Sequence, residues 1–376
     1  MRWCKRCLEP DTRPDCQFDD EGICLPCRIG ETLHEIDWDA RRRELDEIVV
    51  WAKSRTERRR SGYDAIIPVS GGKDSLRQSL FARDELGLRP LLVSLAYPPE
   101  QITKRGANNM ANLISLGFDA IVISPGPETW RQLMRIGFTK FGNWCKSTEV
   151  ALYACAPRVA AQYNIPLLIY GENPALSWGS AGGSLDGDAN RLKYNNTMDG
   201  GNINGFLEEG FKRSQMYWHR YPTDGAIDRS NLRMIYLGYY ISDFEDLTNG
   251  AIAMENGLEP RTGDDAVLEN IGQVTTYDAL DDDFVMVNQM VKQFKFGFGK
   301  ASEQLSGMIR LGAISRDEAV EQARRLDGKC APKYIKDFCA YIDITEDEFW
   351  EIAESYRNPD VWEQRDGEWH LRVPPE

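Results

Sequence analysis

Histidine is the scarcest functional residue of this chain, with only His34, His219 and His370 among 376 positions. That scarcity excludes a histidine-rich metal centre. Together with the lack of a second α/β domain, it also leaves no room for a fused glutaminase, which would need a nucleophilic cysteine with a histidine base and a supporting acid. No apolar stretch reaches the length of a membrane span. The start, Met1-Arg2-Trp3-Cys4, lacks the apolar core of a secretory signal, so the expected location is the cytoplasm, where thiols stay reduced. Positive charge is in deficit: 45 Lys and Arg stand against 59 Asp and Glu, a formal net charge of −14. Such a surface repels a phosphate backbone and argues against a nucleic-acid partner. Internal repeats and low-complexity segments are absent as well. What remains, 42% hydrophobic and 28% charged residues, is ordinary for a globular protein, and the length suffices for one large core or two.

The stretch that organises the rest is Ser70-Gly71-Gly72-Lys73-Asp74-Ser75, between the apolar run Asp64–Val69 and an amphipathic stretch from Leu76 to Leu86 closed by Gly87. A strand, a Gly-Gly turn and a helix start make an anion site. The glycines let backbone approach a ligand, and the first helical N–H groups are unpaired at the positive end of the dipole. It is not a Walker A loop: Ile67 stands where that pattern has its first Gly, and Asp74 follows the lysine in place of Ser or Thr. Ser-Gly-Gly-x-Asp-Ser after a strand resembles the PP-loop of the ATP pyrophosphatases. That resemblance implies a loop that holds the β- and γ-phosphates of ATP while a substrate carbonyl oxygen attacks the α-phosphorus.

Cysteine is plentiful, with nine residues, and in a reducing compartment that suggests metal or chemistry before disulfides. Cys4-x-x-Cys7 and Cys24-x-x-Cys27 have the spacing of a four-thiolate zinc site. The polar, turn-rich segment between them cannot form a core unaided and needs a metal to hold it. Four cysteines leave no open coordination position, so the expected Zn²⁺ is structural. Cys16 and His34 read as bystanders.

A charged stretch over 35–62 follows, with Ile36, Leu45, Ile48, Val49 and Trp51 as a partial apolar stripe and the basic run Lys53–Arg60 at its end. It reads as a helix and linker into the main domain. From there apolar runs at Pro90–Ala96, Ala120–Ile123 and Pro166–Tyr170 alternate with helical stretches at Lys104–Leu116, Trp130–Phe138 and Thr148–Tyr163. The pattern predicts an α/β fold, a doubly wound parallel sheet with its site beyond the carboxyl ends of the strands. That rule gathers the Ser70 loop, the segment after Ala96 and the segment after Tyr170 into one place. Gly171-Glu172-Asn173-Pro174 opens a Gly- and Asn-rich run, about 171–210, that reads as a lid, with Glu172 as candidate general base. Tyr217-Trp218-His219-Arg220-Tyr221 reads equally as a stacking surface or a packing edge. The last third is expected to be helical. Lys295-Phe296-Gly297-Phe298-Gly299-Lys300 leads into a helix as a second anion contact, Ser315-x-x-Glu318 and Thr345-x-x-Glu348 are capping boxes, and Trp362–Glu376 reads as a polar tail.

These motifs in this order resemble the N-acetyl sugar amidotransferases of lipopolysaccharide and flagellar glycan biosynthesis. The resemblance runs from Cys4-Lys5-Arg6-Cys7 to Asp343-Ile344-Thr345-Glu346. It implies four regions: a zinc knuckle over 1–34, the charged helix and linker, a PP-loop ATP pyrophosphatase domain over 63–282, and a helical region over 283–376. It implies ATP-dependent conversion of an acetamido group on a nucleotide-activated sugar to an acetamidino group through an adenylated intermediate. Ammonia would come from a partner glutaminase paired with a cyclase-like subunit. Ser70, Gly71, Gly72, Lys73, Asp74 and Ser75 would bind ATP, with Lys73 and Lys300 neutralising the leaving pyrophosphate. Asp74 would help hold Mg²⁺, and Glu172 would take a proton. Two other readings stand beside it. A tRNA thiolase of the same superfamily would need catalytic cysteines, for which the middle of the chain offers Cys145 and Cys155; a nucleotide-binding scaffold would need none of this chemistry.

Overall fold

The computed structural model describes the whole chain except residues 60, 175–176, 178–183 and 195. Helices α1 (Leu25–Thr32) and α2 (Trp38–Arg59) precede a sheet of five parallel strands. These are β1 (Ala65–Pro68), β2 (Pro90–Leu95), β3 (Asp119–Ile123), β4 (Leu167–Tyr170) and β5 (Arg233–Tyr236), in the spatial order β3-β2-β1-β4-β5. Register runs Ala65 with Pro90 and Leu167, Leu91 with Asp119, and Leu167 with Arg233. The order reverses between β1 and β4, so a crevice opens at their carboxyl ends. Between the strands lie α3 (Lys73–Leu80), α4 (Lys104–Ser115), α5 (Pro127–Phe141) and α6 (Cys145–Tyr163).

Alternation along the strands divides the core in two, because successive side chains point to opposite faces. Ile66, Leu91, Val93 and Leu168 face a large cluster that holds Trp130, Trp144, Phe138 and Phe338. Ile67, Leu92, Leu167 and Ile169 face Leu45, Ile48 and Val49 of α2, Leu76 of α3 and Leu113 of α4. The charged stretch before the sheet is therefore more than a linker. Its apolar stripe covers one sheet face, and each such buried side chain contributes about 1.5–3 kcal/mol. The fifth strand escaped the sequence reading because Arg-Met-Ile-Tyr is short and lies among aromatic turns.

After β5 come α8 (Asp246–Glu255), which follows the short α7 (Asp224–Ser230), and then α9 (Val285–Phe296), α10 (Lys300–Arg310), α11 (Arg316–Leu326), α12 (Pro332–Ile342) and α13 (Glu346–Ser355). Both capping boxes form, Ser315 with Glu318 at α11 and Thr345 with Glu348 at α13. The stretch read as a polar tail is in fact an antiparallel hairpin, β6 (Trp362–Arg365) with β7 (Glu368–Leu371). Its turn, Asp366-Gly367, has both φ angles positive (51° and 85°), the geometry an Asp-Gly pair favours. Of the proposed lid, residues 175–176, 178–183 and 195 lie outside the described residues. Its later part is ordered as short 3-10 turns, Asn190–Tyr194 and Asn196–Gly201, that bury Leu192 and Met198. Among the described residues no helix is long and apolar enough to cross a membrane.

Candidate functional site

The four cysteines of the N-terminal knuckle converge, with their sulfur atoms all within 4.8 Å of one another and every residue buried. Cys4 Sγ lies 3.9 Å from Cys27 Sγ, and Cys7 Sγ lies 3.6 Å from Cys24 Sγ. Four thiolates at 2.3 Å around one ion need about this spacing, so the donor set suits a tetrahedral metal such as zinc. Backbone amides of Arg6 and Cys24 donate to Cys4 Sγ and that of Glu9 to Cys7 Sγ, which disperses thiolate charge. Cys16 stays outside the cluster, and His34 is 77% exposed.

The knuckle docks on the C-terminal helices. Leu8 packs with Ala301, Leu305 and Val320, its amide donates to Ser306 Oγ at 3.1 Å, and Arg310 reaches Cys7 Sγ. The two chain ends meet there: Trp3 Nε1 donates to the Val373 carbonyl at 2.8 Å.

At the switch point between β1 and β4, the Ser70 loop turns with Gly71 at φ +83°, a region that favours glycine. A Cβ on Gly71 would also press on the Met110 amide at 3.1 Å. Gly72 caps α3 with extended backbone and no side-chain cap. Among the described residues no acceptor meets the backbone N–H groups of Gly71, Gly72, Lys73, Asp74 or Ser75. Ser75 Oγ donates to the Gly72 carbonyl at 3.0 Å. The loop edges a cavity of about 200 Å³ that Leu95, Tyr153, Cys155, Tyr170 and Glu172 also line. Two of the three segments gathered by the strand-end rule meet here. The third turns away after Ala96, where Gln101 accepts from Trp130 Nε1 at 2.7 Å.

Lys73, expected to face phosphate, is itself buried and points into a half-buried carboxylate cluster. Its ammonium lies 2.8 Å from Asp74, 2.8 Å from Asp246 and 2.7 Å from Asp278, and the side chain is 5% exposed. Burial works against this charge, but the three aspartates raise its pKa well above the ordinary value. The cluster is tied outward: Asn249 Nδ2 donates to Asp74 Oδ1, Arg77 to Asn249 Oδ1, and Gln304 Nε2 to Asp278 Oδ2. Burial likewise opposes ionisation of Asp278, yet Lys73 and Lys300 hold it well below the usual carboxylate range. Asp246, Asp278, Asn249 and Gln304 went unnoticed in the sequence because single acids and amides in an acidic chain carry no signal until a fold selects them.

Glu172 follows β4, where Gly171 leaves no space for a Cβ against Phe244 at 2.9 Å. Burial, then the Asp74 charge, push Glu172 up to about 8 against the pull of Lys73. Lys300 reaches the same electrostatic neighbourhood from the start of α10, raised by Asp278 and Glu303 against its burial. The start of α10 itself is not an open anion site. Asp327 Oδ1 accepts the Ser302 amide at 2.9 Å, and its Oδ2 accepts from Ser302 Oγ, so a carboxylate already caps the helix. Of that second contact the side chains of Lys295 and Lys300 remain, both lining a cavity. His219 is buried beside Trp130, 6.0 Å between centroids, with neither ring nitrogen bonded among the described residues; burial pushes it down to about 4, so this member of the aromatic run packs in the core while Tyr217 stays exposed.

Residues 271–373 match the family model of the LPS biosynthesis protein WbpG-like, C-terminal domain. The WbpG-like stretch carries Asp278, Phe296, Phe298 and Lys300, so part of the carboxylate cluster and the Lys300 arm lie inside it. The match associates the chain with lipopolysaccharide biosynthesis. No curated protein matches the chain.

Proposed function

We propose that this protein is an ATP-dependent amidotransferase of the PP-loop ATP pyrophosphatase type, acting on a nucleotide-activated acetamido sugar in lipopolysaccharide biosynthesis. One observation carries the reading: a run of unpaired loop amides faces Glu172 across a cavity at the switch point of a parallel sheet. Such amides suit the phosphates of ATP. The WbpG-like match supports the polysaccharide setting.

In the reaction the amide oxygen of the acetamido group forms a bond to the α-phosphorus, and pyrophosphate leaves. Ammonia then adds to the activated carbon, the C–O bond breaks, and AMP departs with the former amide oxygen. The amide oxygen is a weak nucleophile, so positioning and charge neutralisation must lower the barrier. Lys73 is already neutralised by three aspartates, which leaves Lys300 to meet the pyrophosphate. Asp74 and Asp246 keep 32% and 35% of their side-chain surface exposed. They would hold the Mg²⁺ that accompanies ATP, a hard cation that takes oxygen donors. Glu172, unprotonated, would accept a proton from the incoming nitrogen. A thiolase would need a thiolate here, but burial pushes Cys155 up to about 12 and raises Cys145 as well, which favours the amidotransferase.

The test is incubation with ATP, Mg²⁺ and a panel of acetamido nucleotide sugars, with ammonium chloride or glutamine as nitrogen source, read by mass spectrometry. Ammonium, and not glutamine, should yield a product with oxygen replaced by NH and stoichiometric AMP. A heavy-oxygen label in the acetamido group should appear in AMP. AMP released only with tRNA and a sulfur donor would overturn the reading, as would no AMP with any acceptor.

A further inference from the structure

Beside the loop cavity lies a second one of about 290 Å³, and the two share Tyr153, Pro174 and Leu192 as a common wall. Four cations drawn from three parts of the chain line it: Arg13, Lys292, Lys295 and Lys300. Arg13 belongs to the loop between the two cysteine pairs. Its guanidinium ion-pairs with the buried Glu9 and, at 2.7 Å, with Glu303, and stacks over Phe298 at 4.6 Å, while Thr12 Oγ1 donates to the Phe296 carbonyl at 2.5 Å. Lys292 shares the same Glu303 at 3.0 Å. Lys295 donates to the Phe141 carbonyl at 2.7 Å and has no ion pair among the described residues. Burial, then repulsion from Lys146, lower its pKa. Three carboxylates face these four cations: Asp15, Glu303, which Lys292 and Arg13 ionise against its burial, and Glu149, which burial pushes up to about 7. The cavity is thus a positive recess in a chain of net charge −14. Desolvated cations without full counter-charge are costly, and an anionic ligand offsets that cost.

We propose that this second cavity binds the phosphate linkage of the nucleotide-activated acetamido substrate through Lys295, Lys292 and Arg13, and that the cysteine knuckle positions Arg13 for that purpose. The inference rests on the amidotransferase reading for the identity of the substrate. The shared wall at Tyr153 brings a substrate held there beside the loop, so its acetamido oxygen approaches an ATP whose phosphates lie on the loop amides. The knuckle is then a contributor to the substrate site, over and above its own local stability.

Calorimetric titration of the full chain tests this, with UDP and CMP as probes of the two common kinds of phosphate linkage and an ATP analogue uncleavable at the α–β bridge. At least one probe should bind. Lys295→Met and Arg13→Gln should each weaken it on the order of tenfold, the loss of a hydrogen bond to a charged group, while the ATP analogue keeps its affinity. Circular dichroism checks that both variants fold. Failure of UDP and CMP to bind the unaltered protein would overturn the proposal. So would unchanged probe affinity in folded Lys295→Met, or equal losses for probe and ATP analogue. If a probe binds as expected but no acetamido nucleotide ever yields AMP, the amidotransferase reading falls and the anionic subsite stands.

Discussion

Glu172 sits where its chemistry and its stability pull apart. Its carboxyl titrates near 8 in the fold against an ordinary 4.5, so the native protein holds that proton where the unfolded chain releases it. Sign follows from linkage: stability falls as pH rises from about 4.5 towards 8, because the charged form is disfavoured only in the fold. Glu172→Gln should therefore gain stability over the unaltered protein across that window, visible as a melting-temperature difference that grows with pH. The same change should lower kcat by about 10²–10⁴-fold if the carboxylate accepts a proton. In the unaltered enzyme kcat/KM should rise with pH and level off above about 8. A flat profile, or an active Gln variant, would remove Glu172 from the chemistry.

At the level of elements, the knuckle and α10 act as a pair. Thr12, Arg13 and Leu8 all lean on residues between Phe296 and Ser306, so the loop between the cysteine pairs and the helix that carries Lys300 stabilise each other. Removing the metal with a chelator should raise hydrogen exchange over residues 4–27 and over α10, and leave the amides of β1, β2 and β4 protected. A segment of this size without a metal has too little core to persist. Uniform exchange across the chain after chelation would contradict the pairing. Much of this level was legible in the sequence. Four of the five strands show as apolar runs bounded by turns, both capping boxes form where Ser315 and Thr345 stand, and the cysteine spacing selects the four residues that converge. The start of α10 was misread because Asp327, which caps it, comes from a later turn that no local pattern links to Gly299. The hairpin was missed by weighing the polarity of its strands over the Asp366-Gly367 turn signal.

For the molecule as a whole, Lys73 is the point where the loop, α8 and the segment before α9 are tied together through Asp74, Asp246 and Asp278. No sequence pattern announces such a tie, because two of its three partners, Asp246 and Asp278, lie some two hundred residues along the chain. Lys73→Met would leave three neighbouring carboxylates without the cation they share, at a cost of up to about 3–5 kcal/mol, the figure for a fully buried pair. The variant should melt roughly 5 °C or more below the unaltered protein. Adding Asp278→Asn should recover part of the loss. A Lys73→Met protein of undiminished melting temperature would show that the cluster simply takes up protons.

The meeting of the chain ends sets an order in time. The knuckle precedes the sheet in the chain, yet the helix it rests on follows the sheet, and Trp3 and Val373 are 370 residues apart when they bond. The nascent chain therefore completes its sheet and its Gly-Gly loop well before Lys300 and the docking surface for Arg13 exist. A polypeptide made only as far as the Gly-Gly loop lacks the neighbours that would set it to work, so the site becomes whole only once the segment that carries Lys300 has been made.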